Sequence, residues 1–285
     1  MDCWSWTAAD GAPLLAHLLD DAGRACQSRS SGIVATRFRR DLAWSEAASA
    51  PSSPSAAACY RRCVEIAVVI PALDEAHDIA AAVRSASVPG AEVVVVDGGS
   101  RDETAERARA AGARVVGCGP GRARQLRKGV EATTREVVLF LHADTRLPAG
   151  WDRAVARALG KPTVAGGAFR LRFDERRVGL RILEWGVRLR VALFALPYGD
   201  QAIFVRRDVL DAVGGVPLVS FMEDLDLVRA VKTRGRVVAL PLPVTTSARR
   251  YRRDGVALTA VRHLLAAVAW SLGVERTRIE GWVRR

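Results

Sequence analysis

Ile66-Ala-Val-Val-Ile-Pro-Ala-Leu-Asp-Glu75, Glu92-Val-Val-Val-Val-Asp-Gly-Gly-Ser100 and Glu136-Val-Val-Leu-Phe-Leu-His-Ala-Asp144 share one plan: a short apolar run that breaks into polar and acidic residues. Runs that are apolar throughout, rather than alternating, mark strands covered on both faces, as in the parallel sheets of α/β proteins. Helical stretches separate them, at Ala76 to Ser87, Arg101 to Ala111 and Arg122 to Thr133, with Arg114-Val-Val116 as a short third strand. The expected order is β-α-β-α-β-α-β, a set of βαβ units around a mixed, mostly parallel sheet flanked by helices.

Downstream, the pattern predicts a helix over Trp151 to Leu159, a strand over Thr163 to Phe173 broken at Gly166-Gly167, and a long amphipathic helix over Gly179 to Leu196. A strand follows over Gln201 to Val205, then helices over Asp208 to Val213 and Glu223 to Arg234, and a strand over Arg236 to Leu240. Gly255 to Leu272 reads as an apolar helix, and Arg262 and His263 within it argue against a membrane span. Upstream, Met1 to Arg62 is rich in Ala, Ser and Pro and shows at most one short helix, over Asp10 to Ala25. The expected organisation is an extension over residues 1–62 and a domain over 63–285 ending in a helical segment.

The formal charge of the 285-residue chain is +12. Arg249 to Arg285 is its most basic part and would attract phosphates of any kind. Nucleic acid is one such partner, yet no binding module or aromatic platform accompanies the charge, and charge alone is blind to sequence. The five cysteines, Cys3, Cys26, Cys59, Cys63 and Cys118, form no CxxC pattern, and Asp2 stands where a secretory signal carries basic residues. A reduced, cytoplasmic protein is expected.

In an open parallel sheet, ligands bind beyond the carboxyl ends of the strands. Asp74 and Glu75, Asp97, and Asp144 occupy such positions. Asp97 opens a Gly-Gly turn, where a carboxylate either holds a ribose or caps the next helix. Gly117 to Arg124 is a Gly-rich loop entering a helix, with Arg122, Arg124 and Lys128 adding positive charge, but neither the P-loop nor the dinucleotide fingerprint is present. Asp144 offers a hard oxygen ligand for a divalent cation, and His142 a nitrogen. Met222-Glu-Asp-Leu-Asp226 sets three carboxylates at a helix start, as a general base for a hydroxyl or as ordinary N-terminal acids.

The succession Ile70-Pro-Ala-Leu-Asp-Glu75, Val96-Asp-Gly-Gly-Ser-Arg-Asp102, Leu141-His-Ala-Asp144 and Glu223-Asp224 resembles glycosyltransferase family 2, over about Val64 to Thr246. Within it the chain looks closest to a bacterial subgroup of small transferases, by the signatures at His142, Gly199 and Arg249. The resemblance implies a GT-A type fold and inverting transfer of a sugar from a nucleotide-diphosphate donor, a UDP-sugar in kind, to a hydroxyl acceptor, lipid-linked acceptors included. It implies that Pro71, Glu75 and Asp97 contact the nucleoside, with Asp74 beside them and Arg124 near the nucleotide. Asp144 becomes the carboxylate for Mg2+ or Mn2+, Asp224 the base, and Glu223 its neighbour. Gly199-Asp-Gln201 would line the acceptor side, and Arg249 to Arg253 resembles a loop that closes on the diphosphate. His142 replaces the first Asp of the usual D-x-D, so the motif brings one carboxylate. A sugar nucleotidyltransferase on a similar sheet is a second reading, against which stands the absence of a Gly-rich start after the first strand. For Gly179 to Leu196, packing is the first expectation and peripheral contact with the inner face of a membrane the alternative.

Overall fold

The computed structural model describes residues 64–283. The extension read over residues 1–62, its helix, and Cys3, Cys26, Cys59 and Cys63 lie outside the described residues; Cys118 is a free thiol. Strand β1 (Ile66–Ala72) lies between β2 (Ala91–Asp97) and β4 (Val137–Phe140), with β3 (Arg114–Gly117) beyond β2, all parallel. Val69 pairs with Val94 on one side and Phe140 on the other, so the three apolar runs form the sheet centre and end together at its carboxyl edge.

The sheet continues through β7 (Phe204–Arg206), antiparallel to β4, then β6 (Val164–Phe173), β8 (Arg236–Thr246) and the short β5 (Thr145–Arg146). Its order is β3-β2-β1-β4-β7-β6-β8-β5. Side chains alternate across it: Ile66, Val68 and Ile70 pack with α1 (Ile79–Ala86) and α4 (Trp151–Leu159), while Val69 packs with α3 (Arg122–Glu131), α6 (Arg207–Ala212) and α7 (Glu223–Lys232). Helix α2 (Thr104–Ala110) connects β2 to β3. Burial of both faces is what requires apolar residues at successive positions, Ile66 to Ile70 of β1 and Val93 to Val96 of β2, not at alternate ones.

Several expectations need correction. Gly166-Gly167 does not break β6. A side chain at Gly166 would stand 2.5 Å from the Phe204 carbonyl oxygen, and one at Gly167 would run into that of Val238, so these glycines let the neighbouring strands close in. The strand read over Gln201 to Val205 begins as a 3-10 turn, Gly199–Gln201, because Gln201 is turned inward. Strand β8 runs on to Thr246 rather than stopping at Leu240, held by pairing with β6. The basic segment after it is a helix, α8 (Arg249–Asp254), not a loop. It leads into α9 (Val256–Ser271) and α10 (Arg276–Val283). In α5 (Val178–Phe194), only Leu180, Glu184 and Val187 are buried, so packing explains one stripe of that helix and leaves the other uncovered.

Candidate active site

The loops after β1 and β2 are tied to each other before any ligand is considered. The Asp74 N–H donates to Ser100 Oγ (3.0 Å), and the Arg101 N–H donates to Asp74 Oδ1 (2.8 Å). Asp97 accepts from the Ser100 N–H and hydroxyl, which closes the Gly98-Gly99 turn around it. The buried Gln125 of α3 donates from Nε2 to the carbonyls of Ala72 (2.8 Å) and Val96 (2.9 Å), clasping the carboxyl ends of both strands. Gln125 was not among the candidates; its one sequence signal is a place on the same helix face as Gly129.

Of the two acids after β1, Asp74 is spent on the neighbouring loop, while Glu75 faces α8. Arg249 Nη2 lies 2.8 Å from Glu75 Oε2, and its Nη1 lies 3.6 Å from Asp78 Oδ2. Burial pushes the Glu75 carboxyl above its ordinary range, against the pull of Arg249. Burial likewise raises Asp144, with Arg250 opposing, and the hydroxyl of Thr145 donates to Asp144 Oδ1 at 3.3 Å. Pro71 is half-buried near the end of β1, and Arg124 is exposed at the start of α3, beside the Gly119 turn.

Behind Asp144 the chain builds a second, tighter cluster. Arg122 Nε lies 2.8 Å from Glu223 Oε1, and its Nη2 meets His142 Nε2. Burial, then the charges of Arg122 and Arg250, hold His142 well below the usual imidazole range. The ring is therefore neutral, Nε2 accepts from the guanidinium, and the ring proton sits on Nδ1. Nε2 is thereby engaged by Arg122. Burial raises the Glu223 carboxyl, with Arg122 the main opposing charge.

The three carboxylates of the α7 start are parted by their partners. Glu223 goes to Arg122. Asp226 accepts from Trp270 Nε1 (3.0 Å) and Arg276 Nη2 (2.5 Å), anchoring the C-terminal helices. Asp224 accepts from the Gly199 N–H (2.6 Å) and the Leu225 N–H (2.9 Å), which fixes its orientation and leaves each oxygen a further lone pair. Gly199 permits this approach: a side chain there would overlap the Arg122 guanidinium and lie 2.9 Å from His142 Nε2 and 3.0 Å from Asp224 Oδ2.

Gln201 is buried and committed. Its Nε2 donates to the Phe169 carbonyl (3.0 Å), and its Oε1 accepts from the Tyr198 N–H and from Arg190, each at 3.2 Å. Its amide shapes the 3-10 turn. The neighbouring Asp200, expected with Gly199 and Gln201 on the acceptor side, has a buried Oδ1 without a hydrogen-bond partner among the described residues, and burial pushes its pKa up to about 6. The charges that bear on it come from Arg190, Asp224, Arg122 and Asp144.

No group of three His, Cys, Asp or Glu side chains able to hold a metal occurs among the described residues. A metal that shares its coordination with substrate phosphates and water needs only one or two protein carboxylates, so Asp144 fits such an ion without a preformed cage.

A mixed sheet whose parallel half carries Asp97 and Asp144 beyond its carboxyl edge, with Asp224 at the start of α7 and Arg249 paired to Glu75, defines an α/β protein with acidic and basic side chains gathered at that edge. Residues 67–215 match the model of Glycosyl transferase family 2, and the chain belongs to that family. An uncharacterised glycosyltransferase of Mycobacterium bovis is 32% identical over 187 residues, which cover 61% of this chain and 83% of that one. The glucosyl-3-phosphoglycerate synthase of Mycolicibacterium paratuberculosis is 39% identical over 92 residues, only 28% of the length of that relative. The structure of Mycobacterium tuberculosis glucosyl-3-phosphoglycerate synthase with Mn2+, UDP and glucosyl-3-phosphoglycerate superposes with a TM-score of 0.55 at 23% identity, covering 76% of this chain and 83% of that chain. A mannosyltransferase of Pyrobaculum calidifontis with GDP-Man and Mn2+ gives 0.54 at 22% identity, over 70% of this chain and 64% of that one. These likenesses are of fold, and the fold is of the GT-A type.

Proposed function

We propose that the protein transfers a sugar, with inversion, from a nucleoside-diphosphate donor of the UDP-sugar kind to a hydroxyl acceptor, and that residues 63–285 form the transferase domain with 1–62 as an extension. The observation that carries this reading is the Asp224 carboxylate, aimed by two backbone N–H groups beside the 3-10 turn and sharing its electrostatic surroundings with Asp200. The two solved relatives, bound to UDP or GDP-Man with Mn2+, support a nucleotide donor and an ion.

On this reading Glu75 and Asp97 hold the nucleoside from the linked loops after β1 and β2, and Pro71 packs beside it. Asp74 serves through its bonds to Ser100 and Arg101. Asp144 would hold Mg2+ or Mn2+, which neutralises charge on the diphosphate when bound. The acceptor hydroxyl gives its proton to Asp224, and its oxygen attacks the anomeric carbon opposite the diphosphate. The bond from that carbon to the diphosphate breaks, and Arg249 and Arg250 face the charge that develops on the leaving group. Glu223 acts at one remove, by pinning Arg122 against His142. A lipid-linked hydroxyl is the acceptor class favoured by the exposed apolar helices beside the site.

Asp224→Asn keeps an oxygen for the Gly199 N–H but cannot take a proton. It is expected to lower transfer by about 100-fold or more while UDP with Mn2+ still raises the melting temperature. A variant that transfers at the parental rate, or one that no longer binds nucleotide, removes Asp224 from this role.

A further inference from the structure

Of the fifteen exposed large apolar side chains among the described residues, six lie on α5, five on α9, and Leu272 directly follows α9. Soluble monomers seldom leave so much apolar surface together unless it meets something. On α5 the exposed residues Ile182, Trp185, Leu189 and Leu193 follow i, i+3, i+7, i+11, which is one side of a helix. The opposite side, Leu180, Leu183, Val187 and Val191, joins the cluster that also holds Val256 of α9. The two helices are thus neighbours, each with an inward stripe that packs and an outward stripe that does not. Neither is long and apolar enough to cross a membrane.

The charge on these helices has one sign. On α5 the only acid, Glu184, is buried and accepts from the Phe173 N–H at 2.9 Å, while Arg181 and Arg188 are exposed and make no ion pair among the described residues. Helix α9 has Arg262 and no acid. We infer that the outward faces of α5 and α9 dock on an anionic lipid bilayer, Trp185 and the leucines entering the headgroup boundary and the arginines meeting lipid phosphates. A second copy of the chain suits this surface less, because self-association through it would set Arg181 and Arg188 against the arginines of the other copy.

The same helices reach the transfer site from their other side. Arg190 of α5 stacks on the Tyr198 ring at 3.3 Å and bonds Gln201, and His263 of α9 lies edge-on to Tyr251. Docking would therefore present the Asp224 side of the groove to hydroxyls held at the bilayer. That last consequence rests on the transfer reading above; the docking itself does not.

The test is co-sedimentation of the full chain with vesicles of phosphatidylglycerol and phosphatidylcholine, against phosphatidylcholine alone, with variants Ile182→Asp/Trp185→Asp and Leu264→Asp/Leu265→Asp. All four positions are exposed, so both variants should keep the parental melting transition. Expected is binding to the anionic vesicles that weakens with salt, falls at least tenfold in each variant, and shifts tryptophan emission to the blue except in Trp185→Phe. Binding that the aspartates leave unchanged overturns the inference, and so does failure to bind anionic vesicles. A dimer dispersed by Ile182→Asp/Trp185→Asp would assign the surface to a second copy. Loss of docking with transfer to a soluble acceptor intact would separate this inference from the proposed chemistry.

Discussion

Arg122→Met should destabilise the protein in a way that depends on pH, because it strands Glu223. Removing one partner of a buried ion pair costs about 3–5 kcal/mol. Here the Arg122 side chain keeps 39% of its surface exposed and Glu223 only 6%, so water already screens the pair from one side. The expected loss is about 1–3 kcal/mol at pH 8. In the middle of that range it lowers the melting temperature by roughly 4–8 °C for a chain of this size. Burial raises the folded-state pKa of Glu223 above its unfolded value. The folded state then binds more protons, and stability falls as pH rises through the window between the two values. Arg122 narrows that window, and its removal extends it upward. The deficit of the variant should therefore be smaller at about pH 5 than at pH 8, because the stranded carboxyl takes up protons as the pH falls. Thermal melts of parent, Arg122→Met and Arg122→Met/Glu223→Gln at both pH values decide it. An equal deficit at both, or a double variant no better than the single one, would refute the reasoning.

Asp200→Asn should raise the melting temperature at pH 8 and leave it unchanged near pH 4. The folded pKa of Asp200, about 6, lies above the unfolded value, so the parental carboxylate loses stability as pH rises through that interval, on the order of 2–3 kcal/mol at most. Melts across pH with no gain at the alkaline end would contradict the burial of Asp200. Gln125→Leu should cost about 1–3 kcal/mol, because the carbonyls of Ala72 and Val96 lose their shared donor. It should also weaken nucleotide binding by loosening the loops of Glu75 and Asp97; denaturant unfolding and a nucleotide titration measure the two effects.

The central sheet was legible because strands covered on both faces must be apolar at every position, and because each run ends in an acid at the same edge. Gly166 and Gly167 misled, since a glycine in a strand reads as a break unless the strands pressing on it, here those of Phe204 and Val238, are known. The α5 stripe was visible as a period but not as two stripes, one packed and one bare, because periodicity does not say which neighbours a helix meets. Asp97, Asp144 and Asp224 follow from position after strands and at a helix start. The pairings of Arg122, Gln125 and Asp200 do not, because their partners are distant in the chain: Glu223 and His142 for the first, the Ala72 and Val96 carbonyls for the second, the charges of Arg190 and Asp224 for the third. Gln201, expected on the acceptor side, makes hydrogen bonds inside the fold, to the Phe169 carbonyl, the Tyr198 N–H and Arg190, that its place in the motif did not announce.

The most direct test of the nucleotide-sugar reading is the melting temperature of the purified protein with UDP, GDP and their sugars, each with Mn2+, Mg2+ or chelator. A ligand that binds only the folded state stabilises it by about 2.7 kcal/mol at a hundred times its Kd. The account predicts a rise of several degrees with UDP or a UDP-sugar that needs the metal and is lost in Asp144→Ala. No shift with any nucleotide in any metal would leave the fold standing and contradict the function.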